Sequence, residues 1–141
     1  MSPNQDTQSI PVNDPRFQAM LAELDDKDGT ASLGSFSEVV FLIEDMTARL
    51  EIREDHVYYL GRFKENTDNE FNLTPYNALQ RGVSRIHAKL IMLNDRLYVM
   101  DLDSSNGTYV HRKRLLPHEP ALLHSGDELL LARMKIQVVF R

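Results

Sequence analysis

From Glu38 onward the apolar residues fall into short runs bounded by turn residues: EVVFLIED, ARLEI, HVYYLG, HAKLIML, RLYVMDL, GTYV, ALL, DELLLA and KIQVVF. Runs of this length, rich in branched and aromatic residues and spaced by turn formers, predict the strands of a sandwich or barrel. No helical period competes with them. Asn94-Asp95 stands between two runs and suits a two-residue hairpin, and Ser105-Asn106-Gly107 suits a turn that needs positive φ. One interruption is long: the 22 residues from Arg62 to Val83 hold only scattered apolar positions. Loops of that length inside compact domains are usually functional.

The first 37 residues follow a different pattern. Residues 1–13 are polar, contain two prolines and show no periodicity, which predicts a tail without the apolar area to offset its ordering entropy. In DPRFQAMLAELDD, Asp14 suits an N-cap and Pro15 the first helical position. Phe17, Met20, Leu21 and Leu24 recur at helical spacing. One short amphipathic helix over 14–26 is expected, too short to hold alone in water, so that it docks or remains nascent. DDKDGTASLGSFS then reads as a linker ending near Ser37. The expected organisation is an acidic tail with a helix over 1–37 and one all-β domain over 38–141.

Composition narrows the class. At 141 residues the chain is one domain's worth, and 42% hydrophobic with 26% charged residues is ordinary for a soluble globular protein. No apolar run approaches the roughly 20 residues of a spanning helix, and the N-terminus does not read as a secretory signal. A cytoplasmic monomer is expected. The absence of cysteine excludes disulfides, thiolate catalysis and Cys-based zinc sites. The net charge of −5 argues against a nucleic-acid or membrane surface as partner, but it is unevenly placed. Residues 1–55 carry 4 Lys and Arg against 12 Asp and Glu, whereas residues 56–141 carry 12 against 9. The second part could hold an anion that the whole molecule repels.

Ser84, His87, Asp101 and Asp103 are residue types that acyl transfer uses. Yet GVSRI has Ile where a nucleophile elbow needs its second Gly, and a strand follows where the elbow needs a helix. The five histidines show no paired spacing for a metal, so neither a metal nor another cofactor is expected. An anion site demands less. A phosphate is best held by Arg forks, hydroxyls and backbone N–H groups on loops. GRF after one strand, RGVSR before another and DSSNGT between two offer such groups. Each alone is as well read as a turn with a solvated side chain.

Their order and spacing together carry a resemblance. LGR at 60–62, GVSRIHA at 82–88, DLDSSNGTYV at 101–110 and SGDELLL at 125–131 resemble the forkhead-associated (FHA) domain, a phosphothreonine-binding module. The resemblance covers about residues 38–141. It implies a sandwich of two twisted sheets, usually of eleven strands, with ligand loops at one end and no catalysis. By the same resemblance Arg62 contacts the phosphate or the peptide backbone, Ser84 donates its hydroxyl to a phosphate oxygen, and Arg85 adds a second cationic arm. Ser105 lies near the phosphothreonine and Asn106 bonds the bound peptide's backbone. His87 is structural, and Gly61 and Gly107 supply backbone freedom. Ligand selection is implied near Gly82, with Arg81 and the 62–83 loop as alternatives.

The chain departs from the commonest pattern of that family in two loops. The segment from Arg62 to Ser84 is longer than usual, and His111-Arg112-Lys113-Arg114 stands where many members have Asn-Gly. Such a basic run also suits nucleic acid, although four residues are more often a solvated turn. Some bacterial relatives bind a phosphothreonine of their own N-terminal segment. Thr7 in DTQSI and Thr30 in DGTASL are the corresponding candidates here, Thr7 having more slack to reach the site. The expected activity is recognition of a phosphothreonine in a protein partner or in the chain's own tail. The rival is a scaffold of the same fold that binds without phosphate.

Overall fold

The computed structural model describes residues 14–22 and 31–141. The last apolar run, Met134–Phe140 (β11), buries Met134, Ile136, Val138 and Phe140 and exposes Lys135 and Gln137, the alternation of a strand with one wet face. It pairs antiparallel with the first run, Glu38–Ile43 (β1), whose Val39, Phe41 and Ile43 also point inward. Glu38 and Arg141 complete that ladder by exchanging backbone N–H···O bonds of 3.0 and 2.9 Å.

The remaining strands are Met46–Glu51 (β2), His56–Gly61 (β3), Glu70–Asn72 (β4), Ile86–Leu93 (β5), Arg96–Asp101 (β6), Thr108–Val110 (β7), Lys113–Arg114 (β8), Pro120–Leu123 (β9) and Glu128–Leu131 (β10). They form a six-stranded sheet in the order β2-β1-β11-β10-β7-β8 and a five-stranded sheet in the order β4-β3-β5-β6-β9. The all-β sandwich of eleven strands is therefore as expected. Two strands were absent from the hydrophobic pattern. β4 lies inside the long interruption and pairs in parallel with β3, and β8 is a two-residue stretch of the basic run, paired with β7.

Phe41, Leu60, Leu90, Leu97, Leu129 and Ile136 fill the space between the sheets with almost no exposure. Each such side chain contributes about 1.5–3 kcal/mol of transfer free energy. β5 is buried on both faces, which is why HAKLIML reads as a nearly unbroken apolar run. Ala88, Leu90 and Met92 face the other sheet, while Ile91 faces outward beside Tyr98 and Met100 and is covered by Leu21 of a helix, Pro15–Ala22 (α1). Asp14 caps α1 by accepting the Arg16 backbone N–H at 2.8 Å. The rest of the expected helix, residues 23–26, lies outside the described residues, as do the tail 1–13 with Thr7, and Thr30.

The stretch read as linker is packed from Ala31 onward, because two of its three apolar side chains find places in the sandwich while Phe36 stays exposed. Ala31 is buried, and Leu33 enters the main core. Asp95 of the β5–β6 hairpin anchors the segment. Its carboxylate accepts the Ser32 hydroxyl and the Gly34 N–H, and its carbonyl accepts the Leu33 N–H. Asn94 and Asp95 both have positive φ, the two-residue mirror-image turn that suits hairpin twist. This turn and the Glu38–Arg141 pair mark one end of the sandwich. The β3–β4, β4–β5, β6–β7 and β10–β11 connections gather at the other. No helix among the described residues is long and apolar enough to cross a membrane.

Candidate functional site: three stitched loops

The site begins with a close approach of two backbones. β3 ends in a register shift at Leu60/Gly61, and a Cβ on Gly61 would stand 2.0 Å from the Arg85 carbonyl oxygen. Glycine is needed there for space, since its φ is not in the left-handed region. The approach lets the Arg62 N–H donate to the Arg85 carbonyl at 2.9 Å. The Arg62 side chain turns back over the same loop, its Nε donating to the Val83 carbonyl at 2.8 Å. The β3–β4 loop is thereby fastened to the β4–β5 loop, and the guanidinium is fixed half-buried at their junction.

His87 fastens the third loop. Its Nδ1 accepts the Ser84 backbone N–H at 3.0 Å, which leaves Nε2 as the donor to the Gly107 carbonyl at 2.9 Å. The ring is fully buried, and burial lowers its pKa from the ordinary value of 6.5 against the opposing pull of the Gly107 bond and Asp101. Ser84 and His87 are therefore not a nucleophile and its base, because the ring engages the backbone of Ser84 and not its hydroxyl. That hydroxyl oxygen accepts the Ser105 N–H at 3.1 Å, and Asn106 Nδ2 donates to the Gly82 carbonyl at 2.9 Å.

These bonds bring Arg62, Ser84, Arg85, Ser105 and Asn106 to one end of the sandwich, with Arg85, Ser105 and Asn106 exposed. Among the described residues neither Arg62 nor Arg85 is ion-paired. Two guanidinium groups, hydroxyls and an amide on pre-set loops are the kinds of group that can meet an anion. Arg81 is directed elsewhere: its Nη2 pairs with Glu44 in the β1–β2 turn. Gly82 has φ +83°, and a Cβ there would meet Asn106 Nδ2 at 2.9 Å. Its missing side chain serves the backbone turn and makes room for Asn106. No group of three His, Asp or Glu among the described residues could hold a metal.

A model of the FHA domain matches residues 58–132, just over half of the chain. This chain belongs to the FHA domain family. Protein FraH of Nostoc sp. is 41% identical over 101 residues, covering 64% of this FHA chain and 35% of FraH. The glycogen accumulation regulator GarA of Mycobacterium tuberculosis is 39% identical over 54 residues, covering 38% of this chain and 32% of GarA. The FHA chain thus spans about a third of the length of the curated relatives it matches. Among solved structures, the FhaA FHA domain complexed with the intracellular domain of Rv3910 superposes with TM-score 0.53 at 25% identity, over 71% of this chain and 98% of that one. An FHA domain solved in a study of phosphothreonine-dependent interactions superposes with TM-score 0.55 at 22% identity, over 74% and 97%.

The FHA loop between β6 and β7 depends on a residue that sequence reasoning did not assign. Asp101, buried at the end of β6, accepts the Ser104 hydroxyl and the Thr108 hydroxyl at 2.6 Å each and the Ser104 N–H at 3.1 Å. Ser104 in turn accepts the Gly107 N–H at 3.0 Å. A carboxylate followed by hydroxyls three and seven residues later was the available signal, a local side-chain-to-backbone motif that fixes a turn. Gly107, at φ +90°, lies against the Arg114 side chain, which was also unassigned.

Proposed function

We propose that this FHA domain binds a phosphothreonine in a protein partner through Arg62, Ser84, Arg85, Ser105 and Asn106, and performs no chemistry. The observation that carries the reading is the stitching of three loops into one exposed cluster of donors, with cations that no carboxylate among the described residues neutralises. A phosphate bearing about −1.5 to −2 charges would be met by Arg62 and Arg85, and by the Ser84 and Ser105 hydroxyls as donors. The Ser84 oxygen already accepts the Ser105 N–H, so its proton remains available to a ligand oxygen. Asn106, braced by Gly82, would bond the ligand backbone beside the phosphate. The pinned loops lower the ordering entropy that binding must overcome. Relatives of the family support the reading: phosphothreonine-dependent interactions are reported of one solved FHA domain, and EmbR of Mycobacterium tuberculosis is solved with a phosphopeptide.

Calorimetric titration with a phosphothreonine peptide library and its unphosphorylated counterpart tests this. Wild type should bind only the phosphorylated forms. Arg62→Ala should lose about 2–5 kcal/mol, much of it from the ligand charge left unpaired. Equal affinity for the two forms would overturn the reading and favour the phosphate-independent scaffold.

A further inference from the structure

The basic run of residues 111–114 divides according to what each side chain meets. His111 Nε2 lies 3.0 Å from Asp127, and Arg112 Nε 3.7 Å from Glu128, so these two face the start of β10. Lys113 stands opposite Val110 on the ladder and Arg114 opposite Tyr109. Direct cross-strand partners share a face, and the Arg114 guanidinium carbon is 5.9 Å from the Tyr109 ring centroid. A Cβ on Gly107 would come within 2.8 Å of Arg114 Nε, so the side chain packs against that glycine. Tyr109 also donates its hydroxyl to the Asn106 carbonyl at 3.4 Å. The β6–β7 loop is therefore held by Ser84 of the β4–β5 loop and His87 of β5, and flanked by Tyr109 and Arg114 of the other sheet.

Three other cations on or beside that sheet have partners of their own. Arg81 pairs with Glu44, Lys135 with Glu128, and Arg133 Nη2 donates to the Gln80 carbonyl at 2.7 Å. Arg114 is positioned by a ring and a glycine, neither of which neutralises it, and no ion pair engages it among the described residues. It is exposed on β8, the edge strand of its sheet, where an approaching chain meets no further strand. A positioned guanidinium with its charge unmatched, adjoining Asn106 and Gly107, has the properties of a second anion contact.

We infer that Arg114, stacked on Tyr109, selects ligands with an acidic group flanking the phosphothreonine, either a carboxylate or a second phosphate. The inference rests on the phosphothreonine reading above. It is tested by titrating the protein with phosphothreonine peptides in which one Glu, Gln or phosphoserine moves through the positions on either side. Wild type should favour Glu over Gln by about three- to fivefold at one position, the scale of an exposed ion pair, and phosphoserine by more. Arg114→Gln should erase that preference while the Gln peptide binds as before. Arg114→Lys should keep part of it, and Lys113→Gln all of it. A preference for phosphoserine alone supports the inference and identifies the group as a second phosphate. Unchanged selectivity in Arg114→Gln, or a wild type indifferent to every flanking anion, overturns it. Both outcomes leave the phosphothreonine reading standing. A wild type that ignores the phosphothreonine itself overturns both readings.

Discussion

At the scale of single residues, the candidate site is built from side chains that largely serve backbone. His87 shows the consequence. Its ring can fill both hydrogen-bonding roles only when neutral, and burial holds it there by lowering its pKa. In the unfolded chain the ring takes up a proton at its ordinary pKa of about 6.5. The stability it contributes is thus complete above about pH 6.5. Below that it falls by at most about 1.4 kcal/mol per pH unit, levelling off once the folded-state pKa is passed. Urea unfolding midpoints between pH 5 and 8 should show this decline in wild type and a shallower one in His87→Gln. A slope unchanged by the substitution would assign the decline to other groups. Gly61, Gly82 and Gly107 show why motif glycines resist substitution here: the first faces a carbonyl, the second the Asn106 amide, and the third the Arg114 side chain.

At the scale of elements, the β7–β8 turn is unusual. His111 and Arg112 both take positive φ, at 52° and 66°, in a tight turn that normally falls to Asn and Gly. Left-handed backbone costs an ordinary residue about 1–2 kcal/mol, and the contacts to Asp127 and Glu128 offset part of this. Arg112→Gly should therefore stabilise the protein by about 1 kcal/mol, despite losing an exposed contact worth less. Thermal melts should show a midpoint higher by roughly 3–5 °C. The helix is the opposite case, an element held by one contact face. Leu21 is 5% exposed against Ile91, Tyr98 and Met100, and eight residues of helix do not persist alone in water. Leu21→Ala should cost about 2 kcal/mol and raise amide exchange in α1. Phosphopeptide affinity should remain unchanged, because the loops lie beyond the covered face.

At the scale of the whole molecule, short apolar runs bounded by turn residues made nine of the strands legible, β5 among them although it is buried on both faces. β4 and β8 were not legible because two or three residues carry no period, and their pairing comes from neighbours already in place. Packing of the segment from Ala31 was equally hidden. Ser32, Leu33 and Gly34 look like linker until Asp95, more than sixty residues later, supplies their acceptors. The cluster around Arg62, Ser84 and Asn106 was visible as ordered loop motifs. Asp101 was legible only through its spacing to Ser104 and Thr108, and Arg114 not at all, because its place follows from the β7–β8 pairing that brings it beside Tyr109. Charge follows the same division: the net negative half of the sequence contributes Glu44 to restrain Arg81, while Arg62, Arg85 and Arg114 stay unpaired among the described residues.

The exchange of bonds between Glu38 and Arg141 has a topological consequence. These residues already form the last rung of a hairpin that lacks only its turn. Joining Arg141 to Glu38 through Asn-Gly would convert β11, β1 and β2 into a continuous meander, and the chain could then be opened in the exposed turn at Glu54-Asp55. Such a permuted chain gives up α1 and Leu33 and should melt lower than wild type, yet keep its phosphopeptide affinity. Loss of binding in a folded permutant would show that strand order along the chain matters to the loops. Retention would mean that the sandwich is a closed circuit of strands, and that where the backbone is interrupted is incidental to what the far end recognises.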